Sequence, residues 1–327
     1  FAFEAGPTGY GIYHYLVALG CACMVVAPSL IPRKPGDQVK TDRRDANQLA
    51  RLLRAKELTG VNVPGAQQEA LRDLTRGRED AKLMQIKARQ HVSSMLLRYG
   101  RRYPGKSHWT KQYRRWLSEI VWEHAPTRVI FEDYVRAVDE ATERVERLTH
   151  ALEEAVLVHP DRALIEALQA LRGVSLITAT ILVAEVGDLT RFDHPRQLMS
   201  FIGLVPREHS SGPSIRRGSI TKAGNRHVRR VLIEAAWNYR FPARVSRDIL
   251  ERQKGLPQHV NAISFKAQAR LCRRFIQMTR RGKNLRITVT AIAREILGFS
   301  WSIAMALKQG AVKPEKPVCQ EVAMAQA

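Results

Sequence analysis

Apolar and polar positions change their period several times along the chain, and each change marks an element. Phe1-Ala2-Phe3-Glu4 reads as the end of a buried strand, broken by Gly6-Pro7-Thr8-Gly9. Tyr10 to Leu19 has helical spacing and stops at Gly20. Cys21 to Ala27 is one continuous apolar run, the mark of a buried strand. Pro28 to Lys40 reads as a basic loop. Thr41 to Arg54 returns to helical spacing through Ala46, Leu49, Leu52 and Leu53, and Val61-Asn62-Val63 reads as a short strand. Strands alternating with helices predict a parallel element in an α/β sheet.

Beyond residue 65 the period is helical almost throughout. Residues 66–103 form a long basic helix on the spacing of Leu71, Leu74, Ala81, Met84, Ala88, Val92 and Met95, and a looser stretch with Pro104-Gly105 follows. Over residues 127–157 the apolar positions Phe131, Tyr134, Val138, Ala141, Val145, Leu148, Leu152 and Ala155 alternate spacings of three and four. That is a coiled-coil seam, which predicts one continuous helix with a partner helix, most simply from a second copy of the chain. His159-Pro160 ends it. Leu164 to Leu171 and Leu176 to Val186 are helices around Arg172-Gly173-Val174-Ser175, a loose helix-hairpin-helix-like turn of the kind that offers backbone N–H groups to a phosphate. Residues 258–308 are helical, with Arg270, Arg273, Arg274, Arg280 and Arg281 on a basic face. The tail from Lys308 contains Pro and Lys and reads as flexible.

Charge narrows the class of partner. The 53 Lys and Arg against 31 Asp and Glu leave a formal net charge of +22. A folded chain with that excess repels itself until a polyanion neutralises it, so nucleic acid is the leading partner and an anionic membrane surface the alternative. A hydrophobic fraction of 45% excludes a mostly disordered protein. No run of 18 apolar residues appears, which argues against a membrane span. Cys21, Cys23, Cys272 and Cys319 make neither a disulfide framework nor a zinc pattern, and fit a reduced cytoplasmic setting.

Two segments carry chemistry. Thr41-Asp42-Arg43-Arg44-Asp45 opens a helix, and Asp42 and Asp45 share one face near its start. Asp42 could simply cap the helix and Asp45 favour its dipole. Glu4, however, stands at the C-terminal end of a parallel strand, where α/β sheets place their sites. Three such carboxylates suit Mg2+ in an RNase H-like layout for phosphodiester chemistry. The second segment runs from Gly203 through Ser210-Ser211-Gly212-Pro213 to Gly224-Asn225. Ser-Ser-Gly alone is usually a polar turn. Here Arg216, Arg217, Lys222, Arg226, Arg229 and Arg230 surround it, as charge development on an attacked phosphate requires. His209 is a candidate base two residues before Ser211.

Together, Glu4, Lys40-Thr41-Asp42-Arg43-Arg44-Asp45-Ala46, Phe201-Ile202-Gly203-Leu204-Val205-Pro206, Ser210-Ser211-Gly212 and Ile220-Thr221-Lys222-Ala223-Gly224-Asn225 resemble the insertion sequence one-ten family of DEDD transposases. The resemblance implies an α/β plus mainly α fold. Its parts are a partial RuvC-like (RNase H-like) domain over 1–105, a coiled-coil segment over 106–160, a helical transposase domain over 161–308 and a flexible tail over 309–327. It implies a recombinase acting on donor and target DNA, guided by a structured bridge RNA, working as a homo-oligomer in the cytoplasm at the nucleoid and not at a membrane. It implies that Ser211 is the nucleophile, with Ser210 the alternative, and that Glu4, Asp42 and Asp45 bind Mg2+ and complete a composite site. The family's first acidic residue lies on a strand before Glu4, so the resemblance also implies an N-terminally truncated chain. Competing readings are a Holliday-junction-type nuclease, which needs no serine, and a non-catalytic nucleic-acid-binding fragment.

Overall fold

The computed structural model describes residues 1–6, 8–28, 31–32 and 41–312. The basic loop over 33–40, with Lys40, and the tail from 313, with Cys319, lie outside the described residues. The chain is mostly helical with few strands and divides into two compact units, Phe1–Ala66 and the residues from Gln67 onward.

In the first unit β1 (Ala2–Glu4) and β2 (Met24–Val26) pair in parallel, with Ala2 opposite Met24 and Glu4 opposite Val26. Parallel strands need a crossover, and α1 (Gly11–Ala18) supplies it. α2 (Asp42–Arg54) begins at Thr41, whose Oγ1 accepts a 3.4 Å hydrogen bond from the Arg44 N–H. Threonine is therefore the cap, and Asp42 is not spent on capping. The core is small: Val26, Ile31 and Leu52 are buried, with Met24, Leu49 and Leu58 packed around them. α1 buries none of its side chains. The expected strand at Val61-Asn62-Val63 does not form. Gly60 makes one antiparallel bridge to Val26 and the Val61 N–H donates to Val25 O, and the pairing goes no further among the described residues.

The second unit opens with α3 (Ala66–Arg98), which ends at Gly100 with φ +64°. α4 (Lys111–Ser118) and α5 (Ala125–Leu157) follow. The heptad reading is met in one respect: α5 is a single unbroken helix, and Phe131, Val138, Val145 and Leu152, seven apart, are buried. In this structure the helix beside that seam is α3 of the same chain. Val92, Met95 and Leu96 cluster with Phe131, Val138, Tyr113 and Leu117. Gln85 Nε2 donates to Thr142 Oγ1 and Arg78 Nε to Thr149 Oγ1, both at 2.8 Å, so polar side chains fix the register between the helices.

The remaining elements share one core. α6 (Arg162–Leu168) and α7 (Leu176–Val186) join through a turn at Gly173, φ +80°. A Cβ there would sit 2.4 Å from Ala235 O. The glycine thus has a packing reason, close approach to a neighbouring helix end. α8 (Pro195–Phe201), an antiparallel hairpin of β3 (Pro206–Glu208) and β4 (Arg217–Ile220), α9 (Arg226–Ala236), α10 (Arg247–Gln253), α11 (Gln258–Arg280) and α12 (Leu285–Val312) complete it. The helical region over 258–308 is two helices, because the chain turns at Gly282, φ +71°. α12 is long and apolar enough by composition to cross a membrane, and half of that stretch is buried inside the protein. Its Val289, Ile292, Ala293, Ile296 and Leu297 are core residues.

Candidate functional site

The two serines sit at the end of the β3–β4 hairpin, on a connection whose residues 209–216 are all exposed. What holds this connection is its base. Gly203 has φ +76°, and a Cβ on it would lie 2.1 Å from Ala223 O. Gly224 has φ +69°, and a Cβ there would lie 1.9 Å from Phe201 O. The Gly203 and Gly224 segments therefore pass backbone against backbone, an approach only glycine permits. Arg229 fastens the crossing: its Nη1 donates to the carbonyls of Ile202 (2.9 Å), Ala223 (2.6 Å) and Gly224 (3.1 Å). Thr221 N–H donates to Val205 O and Lys222 N–H to Gly203 O.

Asn225 ties this base to the core. Its Oδ1 accepts from the N–H groups of His227 and Val228, capping α9, while its Nδ2 donates 2.5 Å to Glu185 Oε2. The Glu185 side chain is 1% exposed and is also held by Arg76, whose Nε and Nη2 reach its two oxygens at 2.8 and 3.0 Å, and by Arg72 at 3.6 Å. A second bridge from α3 to α9 runs through Glu79. His227 Nδ1 and Arg230 Nη2 lie 2.7 and 3.0 Å from Glu79 Oε2. Burial alone would raise the Glu79 carboxyl, but hydrogen bonds from Arg230 and His227 outweigh it and hold the group below the usual carboxylate range.

The two serines differ. Ser210 Oγ donates to Glu208 Oε1 at 2.9 Å and accepts from the Arg216 N–H at 3.3 Å. Arg217 Nε also donates to Glu208, 3.2 Å away, and the Ser210 and Arg217 hydrogen bonds depress the Glu208 carboxyl. Ser211 exchanges backbone hydrogen bonds with Ser214, while its exposed hydroxyl makes none among the described residues. Gly212 beside it has φ +56°. His209 uses its N–H on Arg216 O, and no hydrogen bond joins its ring to Ser211.

The six basic residues separate in the same way. Arg229 and Arg230 are committed to internal carbonyls and carboxylates, and Arg217 is paired with Glu208. Arg216, Lys222 and Arg226 are exposed and form no salt bridge among the described residues. In the first unit, Glu4 ends β1, Asp42 and Asp45 occupy the first turn of α2, and α2 packs against β1. Among the described residues no three His, Cys, Asp or Glu side chains close into a metal-holding cluster. Sequence reasoning missed Glu185, Glu79 and Glu208. Glu185 left a signal, being the single charge in the apolar run Leu176–Val186. The other two are ordinary acids on a polar helix face and a polar hairpin.

The fold, a small parallel pair and a mostly helical body that carries the basic hairpin, does not by itself fix a function, and comparison with known proteins supplies the class. The family model described as Transposase IS116/IS110/IS902 family matches residues 165–248, and the DEDD model of the IS110 group, described as Transposase, matches residues 2–100. The chain is 47% identical to a putative transposase, y4qE, of Sinorhizobium fredii, over 94% of this chain and 76% of that protein. It is 33% identical to the transposase for insertion sequence element IS1533 of Leptospira borgpetersenii, over 86% and 83% of the two chains. The insertion element IS110 43.6 kDa protein of Streptomyces coelicolor is 28% identical over 81% and 78%. The chain belongs to the IS110/IS116/IS902 family of insertion-sequence transposases, and DNA is its partner.

Proposed function

We propose that this transposase cuts and rejoins DNA through Ser211. The observation that carries the reading is the contrast between the two hydroxyls. Ser210 has both its proton and a lone pair engaged, whereas Ser211 is exposed on a connection whose base is clamped by Gly203, Gly224 and Arg229. The Ser211 oxygen loses its proton and bonds the phosphorus of a DNA phosphodiester, and a deoxyribose hydroxyl leaves with a proton. A hydroxyl from the recipient strand then attacks the serine–phosphate ester, restoring a phosphodiester and the free serine. One ester is exchanged for another at each step, so no high-energy cofactor is needed. Arg216, Lys222 and Arg226 lie free to face the phosphoryl oxygens.

Glu4, Asp42 and Asp45 are the oxygen-only donor set that Mg2+ takes. We assign them to its binding in an RNase H-like unit, supported by the parallel β1–β2 pair with its helical crossover. The ion, when bound, would neutralise charge on the reacting phosphate. The same reading divides the chain into 1–105, 106–160, 161–308 and 309–327, keeps a helix-hairpin-helix-like element at residues 164–186, and makes a structured guide RNA a second partner. It places self-association on the coiled-coil segment, supported by the half-buried seam positions Tyr134, Ala141 and Leu148. It places the work in the cytoplasm at the nucleoid.

The test is trapping of a covalent protein–DNA adduct. Ser211→Ala abolishes both adduct and cleavage, and Ser210→Ala retains the adduct. Cleavage that survives Ser211→Ala instead assigns a metal-activated water, as in a Holliday-junction-type nuclease.

A further inference from the structure

A cleft of about 580 Å³ opens between α8, α11 and α12. Arg196 comes to it from α8, Arg270 and Arg274 from α11, and Arg294 from α12; the one carboxylate in its lining is Glu295. Glu295 is largely buried. Its Oε2 accepts from Arg270 Nε and its Oε1 faces Arg274 Nε, both at 2.7 Å. Each of these guanidiniums meets Glu295 through Nε, and their terminal NH2 groups have no partner among the described residues. Arg294 and Arg196 have no acidic partner there either. A network that only braced α11 against α12 would be near neutral. Here four Arg residues line the cleft with one carboxylate, and the carboxylate orients two of them. Planar forks with spare N–H donors match phosphate oxygens.

The surroundings agree. The outer face of α11 continues the charge with exposed Arg273, Arg280 and Arg281. From Arg270 to Arg281 that face extends roughly 16 Å at helical rise. Val205, which leads into β3, lines the same cleft, so a strand held there runs at the foot of the serine hairpin. We propose that this cleft binds the phosphodiester backbone of a nucleic-acid strand. The inference rests on the reading of the chain as a nucleic-acid-processing enzyme and adds a binding site to it.

The test measures binding of the whole chain to a 30-base DNA and to an RNA of the same sequence across a salt series. The double variant Arg196→Gln/Arg294→Gln leaves the Glu295 pairs intact and should keep the wild-type melting temperature. It should bind about tenfold more weakly and reduce the slope of log K against log salt by roughly 1.4–1.8. Loss confined to RNA assigns the cleft to an RNA strand, and loss with DNA to a DNA strand; both support the site. Unchanged affinity and slope for both polymers, with wild type binding normally and Arg216→Gln/Lys222→Gln weakened, overturns the cleft while the functional reading stands. Wild type that binds neither polymer at low salt overturns that reading itself. Should the double variant not fold, arginine modification of the wild-type chain decides: nucleic acid must protect Arg294 and Arg196, and equal modification with and without it overturns the proposal.

Discussion

Gly224 shows how much one residue constrains. It holds φ +69°, and any side chain would meet Phe201 O at 1.9 Å. Gly224→Ala should therefore cost about 3 kcal/mol or more in chemical denaturation, since strain and clash add. Glu185 is the polar counterpart. Removing its carboxylate by Glu185→Ala takes the shared anion from Arg72 and Arg76 and the anchor from Asn225. Loss of one partner from a buried ion pair costs about 3–5 kcal/mol, and the lower end applies here because Arg76 is half exposed. Glu79 gives the pH dependence. Its carboxyl is depressed in the folded chain, so its contribution is present above the unfolded-state value and is lost as pH falls through the folded one. Stability should drop in the acid range below pH about 4.5, and Glu79→Gln should flatten that drop in denaturation curves taken between pH 3 and 6.

At the scale of elements, periodicity was readable and termination often was not. The stretch Leu176 to Val186 and the unbroken helix across 131–155 follow from apolar spacing alone, because burial along a helix is a local pattern. Val61-Asn62-Val63 has strand composition, but pairing to the neighbouring strand stops at the single bridge between Gly60 and Val26, which no composition marks. The identity of the helix beside the heptad seam was not legible either. A seam states that something covers it, and α3 meets that need here through Gln85 and Arg78, polar residues that no apolar pattern marks. Both serines and the glycine motifs were visible in the sequence, but the difference between the hydroxyls depends on Glu208 closing back on Ser210. The α5 seam can be tested directly. Leu152 is fully buried in the main core and Leu157, five residues on, is exposed. Leu152→Ala should cost about 2–5 kcal/mol, and Leu157→Ala should stay within about 0.5 kcal/mol of wild type.

The whole molecule distributes its stability unevenly. The second unit has a continuous core running from Leu71 through α7, α9 and α12, whereas the first has Val26, Ile31 and Leu52 and leaves Ile12, Tyr15 and Val17 of α1 exposed. Opening free energy follows local burial, so the elements that carry Glu4, Asp42 and Asp45 belong to the less protected part of the chain. A ligand that binds only the folded form stabilises it by mass action. Hydrogen exchange read by mass spectrometry should thus show β1, β2 and α2 exchanging well before α7, α9 and α12. Millimolar Mg2+ should slow exchange in β1 and the first turn of α2 and leave α7 unchanged. Asp42→Ala should remove that protection while keeping the metal-free pattern. Protection that persists in the variant would move the ion elsewhere, and no protection in the wild type would leave the three carboxylates without a metal role.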